Sequence, residues 1–162
     1  MMLKMNVALG IVLLGISGVA WALPPCLDNS RNAMELNNEQ VLNWKQNSQD
    51  QFHARGFVKG TLTRDYPDHT GHTHFEMQIG PNNDDTIEVV YNQSFGELPP
   101  LNPGMEVEVC GDYITTGNQG HGSSPDGAII HWVHKSPDGN RHPSGYVAVN
   151  GIAYGNGDGT GN

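Results

Sequence analysis

His72-Thr73-His74-Phe75-Glu76-Met77-Gln78-Ile79 alternates polar and apolar side chains over eight residues. Side chains on an extended chain point to opposite faces in turn, so the pattern predicts a half-buried strand with Thr73, Phe75, Met77 and Ile79 inward. His72, His74, Glu76 and Gln78 then share the outer face. The same period recurs on both sides of this stretch. Phe57 to Thr63 reads as a strand, broken by the turn chemistry of Tyr66-Pro67-Asp68. Pro81 to Asp85 is a turn, and Thr86 to Tyr91 a third strand. Met105 to Ile114 sets Val107 and Val109 against Glu106 and Glu108. Ala128 to His134 is a fifth strand, and Tyr146 to Val149 a short sixth piece.

Strands at this spacing, with turn signals between them, predict a mainly β protein: a small barrel or sandwich of five to six strands. Three strands, a connection, then two more is the order of an OB-like five-stranded barrel. The connection, with Pro99-Pro100 and Asn102-Pro103-Gly104, is too proline-rich for the helix often found there. One helix precedes the first strand. Asn37 or Asn38 is its expected cap, Val41, Leu42 and Trp44 its apolar positions, and Ser48 to Gln51 its end. The chain therefore divides into residues 1–22, an N-terminal arm and helix over 23–51, the barrel over 52–154, and a Gly-rich tail over 155–162 that reads as disordered.

The first 22 residues read as an export signal. Lys4 precedes an apolar run from Val7 to Val19 and then Ala20-Trp21-Ala22, a basic start, a short apolar stretch and small residues before a cut. The run is shorter than the ~20 residues that cross a bilayer. A periplasmic or secreted protein is expected, with cleavage after Ala22. The whole chain has 162 residues and a formal charge of -9; losing Lys4 makes it -10. That acidic balance argues against a surface built to grip nucleic acid or anionic lipid. Two cysteines, Cys26 and Cys110, enter an oxidising compartment. A disulfide that pins the arm to the fourth strand is the simpler reading, worth at most ~4–5 kcal/mol on a chain-entropy basis. A buried free thiol at Cys110 is the competing one.

Eight histidines match the eight strong bases, and a function is sought there. His72 and His74, two apart on a strand, can present two imidazoles to one metal ion, with His69 nearby. His131 and His134 are three apart, which on a strand means opposite faces unless the strand ends early. His134, Asp138, Arg141 and His142 fall in or beside the Ser136-Pro137-Asp138-Gly139 turn and can converge there. Candidate metal ligands are His72, His74, His134 and His142, for zinc or copper. His131, Asp138, Arg141 and Trp132 are candidates for a supporting or ligand-binding role. The histidines thus point to two places, with His53 and His121 standing apart.

Ile130-His131-Trp132-Val133-His134, the Pro137-Asp138 turn and Arg141-His142-Pro143-x-Gly145-Tyr146 resemble the signature of a family of small exported bacterial proteins of uncharacterised function. Its members carry an HWTH-like strand, a DP-type turn and RHPxGW. His72 to Phe75 and Gly111-Asp112-Tyr113 match weaker parts of the pattern. The resemblance spans roughly Gly56 to Tyr154. This chain departs from it in Tyr146, in Ser136-Pro137-Asp138, and in a longer Gly117 to Gly127 loop that contains His121. The resemblance implies an OB-like barrel and no mechanism.

Three functions follow as expectations. The first is an exported OB-like binding module that holds a transition metal through its histidines. The second is a metal-dependent hydrolase such as a secreted nuclease, using Arg141 or Lys135 to stabilise charge. The third is a non-enzymatic domain for a small ligand or a protein, with structural histidines. No Ser–His–Asp set, nucleotide loop or cysteine nucleophile offers another enzyme class.

Overall fold

A computed structural model of the chain describes residues 22–117, 123–137 and 142–155. Residues 1–21, on which the expected export signal falls, and His121, Asp138, Arg141 and the tail beyond Gly155 lie outside the described residues. The element order is α1 (Asn38–Asn47), β1 (His53–His69), β2 (His72–Gln78), β3 (Thr86–Asn92), β4 (Glu106–Thr115), β5 (Ala128–His131), β6 (Tyr146–Val149) and β7 (Ile152–Tyr154).

Five strands close on themselves. β1 pairs β2, β2 pairs β3, β3 runs parallel to β5, β5 pairs β4, and β4 returns to β1. This 1-2-3-5-4-1 ring is the OB-like order expected from the strand spacing. Inside it lie Val58, Leu62, Phe75, Met77, Ile87, Val89, Tyr91, Val107, Val109, Tyr113 and Ile130, each 0% exposed. Phe75 and Met77 form the inner row of β2, continued by the buried Ile79 just beyond its end, as their alternation requires, so the outer row of His72, His74, Glu76 and Gln78 follows from it.

β1 departs from the sequence reading. It continues through Tyr66-Pro67-Asp68 to His69, because irregularities between Leu62 and Arg64 and between Tyr66 and His69 absorb the proline. Its first half, His53 to Thr61, pairs β4, and its second half pairs β2. At the changeover a side chain on Gly60 would strike the backbone carbonyl of Gln78. The chain instead turns at Thr70-Gly71, both at positive φ (50° and 74°), a two-residue hairpin turn.

α1 buries only Val41 and is too short to stand alone. The two asparagines expected to cap it do something else. Asn37, at the N-cap position, makes no side-chain cap; its Oδ1 accepts from Phe57 N–H (2.8 Å). Asn38 Oδ1 accepts from Lys59 N–H, and its Nδ2 donates to Lys59 O and Ile79 O. Both side chains stitch the helix to β1. At the far end Lys45 Nζ donates to the carbonyls of Asp84 and Thr86, and Trp44 packs on Phe52 and Tyr113.

The Cys26–Cys110 disulfide is formed, with a Cα separation of 5.6 Å, and ties the arm to β4. It sits in a second apolar cluster with Tyr146, Ala148 and Ala153. β6 and β7, the latter absent from the sequence reading, form a hairpin on β4. β5 and β6 share one edge of β4 end to end: His131 pairs Asp112 and Tyr146 pairs Cys110. The chain leaves that edge at His131 and returns two residues along it, so the described residues 132–137 and 142–145 belong to an excursion from the barrel wall.

Candidate binding cleft

The excursion builds the site. β5 ends at His131 rather than His134, because Trp132 takes a left-handed conformation (φ 50°) that no strand continues. That turn removes the opposite-face restriction between His131 and His134. The neck is closed by Gly145 N–H donating to His134 O (2.8 Å) and Ser136 N–H to Ser144 Oγ (3.1 Å). Any side chain at Gly145 would collide with the carbonyls of Cys110 and Trp132. The glycine of the Arg-His-Pro-Ser-Gly-Tyr stretch is therefore a close-approach residue.

The histidines form one run, not two places. His74 and His72 are 6.4 Å apart (ring centroids), His72 and His131 5.7 Å, and His131 and Trp132 4.6 Å. Trp132 is 5.8 Å from His142, which is 6.1 Å from His134. His134 lies flat on Phe95, centroids 3.7 Å apart and planes 12° apart. Phe95, from the short 3-10 turn after β3, was not singled out in the sequence. His53, which stood apart there, joins Asn92, Phe95, Asp112, Trp132, His134, Pro137 and His142 in lining a cleft of about 730 Å³. His69 stays outside, exposed beside Thr70 Oγ1.

Four imidazoles are held by the same nitrogen. His72 Nδ1 lies 3.0 Å from Thr70 O, His134 Nδ1 2.9 Å from Lys135 O, and His142 Nδ1 3.1 Å from Pro143 O. His74 Nδ1 lies 2.6 Å from Glu88 Oε1. A carbonyl only accepts, so Nδ1 carries the proton in the first three, and an ionised Glu88 asks the same of His74. Each neutral ring then presents Nε2 as a lone pair. Burial drives the His131 pKa down to about 4, helped by the neighbouring histidines. Burial also lowers that of His134, against its hydrogen bond to Lys135 O. Among the described residues, no three His, Cys, Asp or Glu side chains are grouped so as to hold a metal ion.

Arg55 backs the cleft and gave no signal in the sequence beyond being one of few bases. It is 6% exposed. Its Nη1 donates to Asp112 Oδ1 (2.6 Å) and its Nε to Leu27 O. Nη2 reaches Ser144 O (2.6 Å) and Cys110 Sγ (3.2 Å). One guanidinium thus joins the arm, the disulfide, the cleft carboxylate and the returning limb of the excursion. Only the β1–β4 register brings Arg55 opposite Asp112.

A second titrating cluster occupies the same outer wall. Tyr66 Oη lies 3.2 Å from Glu76 Oε2 and 3.1 Å from Asp126 Oδ2 and so bridges the two carboxyls. Thr63 donates to Glu76 and Thr86 to Asp126. Two carboxylates on one hydroxyl cannot both ionise cheaply. Burial, with Glu76 beside it, pushes the Asp126 carboxyl up to about 6. Burial opposes ionisation of Glu76 too, but the hydrogen bonds from Thr63, Asp126 and Tyr66 win and its pKa is lowered. Through Tyr66 and Thr86, Asp126 clasps the segment before β5 to β1 and β3, beside Glu76 of β2.

No protein-family model matches the chain, and no curated protein is similar to it. Among the described residues, no helix is long and apolar enough to cross a membrane.

Proposed function

We propose that the protein is an exported, non-enzymatic OB-like binding module whose ligand occupies the cleft between the excursion and the outer wall. The observation that carries this reading is the cleft itself: about 730 Å³, walled by Phe95, Trp132 and Pro137 and edged by His53, Asn92, Asp112, His134 and His142. Small-ligand sites combine that size with apolar or aromatic walls and few polar groups. The disulfide and the N-terminal leader both suit a periplasmic or secreted protein.

Zinc or copper is the second reading. Metal-binding histidines commonly donate their other ring N–H to a carbonyl or carboxylate, as His72, His74, His134 and His142 do. Such a site would still need a further ligand, because the described residues supply no group of three.

Native mass spectrometry of the oxidised protein, mixed with a small-molecule fraction from its own medium, tests the first reading. A discrete adduct lost in Trp132→Ala and retained in the remote Ile152→Ala is expected. An adduct unchanged by Trp132→Ala, or none, overturns it. Elemental analysis of the same samples decides the second: stoichiometric zinc or copper, lost in His134→Ala, would replace the organic ligand with a metal.

A further inference from the structure

The acceptors around Arg55 belong to two different parts of the molecule. On one side are Leu27 O, the carbonyl next to Cys26, and Cys110 Sγ of the disulfide itself, 3.2 Å from Nη2. On the other are Asp112 Oδ1, whose residue lines the cleft, and Ser144 O, on the limb that returns from the excursion. Ser144 Oγ in turn accepts Ser136 N–H across the neck. A guanidinium is planar and carries its N–H donors in a fixed fork, so it cannot shift toward one acceptor without leaving another.

The disulfide decides where the first two acceptors stand. Cys26 begins a segment folded on itself: Met34 N–H donates to Cys26 O (2.8 Å) and Leu27 bridges Ala33. The S–S bond ties this segment covalently to β4, with Leu23, Met34 and Phe57 packed around it. Cys110 and Asp112 are two apart on β4, hence on one face, opposite Phe57 and Arg55 of β1. Breaking the S–S bond therefore changes both acceptors on that side. Leu27 O loses its covalent anchor, and a weakly accepting sulfur becomes a thiolate beside a guanidinium, a charge-assisted partner.

Resting on the cleft as the ligand site, we propose that the Cys26–Cys110 disulfide is a redox switch of that cleft, acting through Arg55. In the oxidised protein the guanidinium holds Asp112 and the Ser144 limb. A dithiol reductant gives two electrons to the S–S bond and closes its own disulfide. Cys26 takes one of the two protons released, Cys110 stays a thiolate on Arg55, and the other proton goes to solvent. The guanidinium then follows the thiolate away from Ser144 O and Asp112, and the limb carrying His142 slackens. An oxidising compartment, which the N-terminal leader suits, gives the binding form.

Spectra of the isotope-labelled full-length protein at neutral pH, before and after dithiothreitol, test the switch, with the extent of reduction checked by alkylation and mass. The Trp132 indole N–H and the His134 and His142 ring resonances report the cleft. The Trp44 indole N–H, packed on Phe52 and Tyr113, reports the barrel. Reduction is expected to shift or broaden the cleft resonances and leave Trp44 in place, and glutathione disulfide to restore them. Arg55→Lys keeps the charge and loses the fork. Its cleft resonances are expected to be displaced while the disulfide is intact, and to move several-fold less on reduction than in the unaltered chain. Cleft resonances unmoved by reduction overturn the switch. So does loss of Trp44 together with the cleft, which makes the disulfide a clamp on the whole barrel. An undisplaced cleft in oxidised Arg55→Lys, or an equal response to reduction there, takes the link away from Arg55 and overturns it too. None of these readouts needs a ligand, so an unmoved cleft and a missing ligand adduct are separate failures.

Discussion

The histidine cleft and the Glu76–Asp126 pair lie on one outer wall of one barrel, and burial disfavours the charged forms of His131 and Asp126, yet acid acts on these two in opposite directions. For His131 the charged form is the protonated one. Its folded pKa, about 4, lies below the ordinary 6.5, so its stability contribution is complete above pH 6.5 and is lost as pH falls toward 4. For Asp126 the charged form is the deprotonated one. Its folded pKa, about 6, lies above the ordinary 3.8, so stability is complete below pH 4 and is lost as pH rises through 6. Between pH 4 and 6 the two slopes oppose each other. The same physical cause, desolvation, gives a barrel whose stability changes less with pH than either cluster alone would make it.

The largest expected effect breaks the cleft side only. Arg55→Met leaves Asp112 and two backbone carbonyls without their donor, and about 3–5 kcal/mol of unfolding free energy should be lost in denaturant titrations. The Asp126 titration should persist in that variant. Next comes removal of one slope at a time. Asp126→Asn should abolish the fall in stability from pH 4 to 6, worth ~2–3 kcal/mol across the window, and leave a protein that gains stability as pH rises. His131→Gln should do the reverse, by ~1–2 kcal/mol after allowance for its partial exposure. Urea melts at half-unit pH steps check both. If wild type and Asp126→Asn share one pH profile, the clasp at Asp126 carries no linkage.

Smaller effects sharpen the picture. Tyr66→Phe removes the hydroxyl that touches both carboxyls and should cost about 1 kcal/mol. Phe95→Leu removes the ring beneath His134, with ~0.5–1.5 kcal/mol expected from thermal melts. Its effect on ligand binding should exceed its effect on the fold.

The barrel was legible because its rule is local. Alternation in 72–79 assigns the inner row from Phe75 to Ile79, and short strand spacing orders the ring. Where the reading failed, a non-local partner decided. Asn37 and Asn38 carry helix-cap chemistry, but the backbone of β1 competes for the same oxygens and wins. Tyr66-Pro67-Asp68 carries turn chemistry, but an irregular edge next to β2 accommodates the proline. The site was half legible. His72, His74, His134 and His142 were singled out by type and spacing, yet their union through His131 and Trp132 depends on one left-handed residue that no pattern announces. Arg55, Phe95 and the Glu76–Asp126 contact are meetings of distant segments, which periodicity does not report.

The central claim is that the histidines of the cleft present lone pairs, which is a statement about where two protons sit. Long-range ¹H–¹⁵N correlation spectra of the histidine rings, recorded on the free protein at neutral pH, read this directly. His134 and His142 should each have a protonated, pyrrole-like Nδ1 and an unprotonated, pyridine-like Nε2. The opposite tautomer in both rings would make them donors to the cleft and contradict the account.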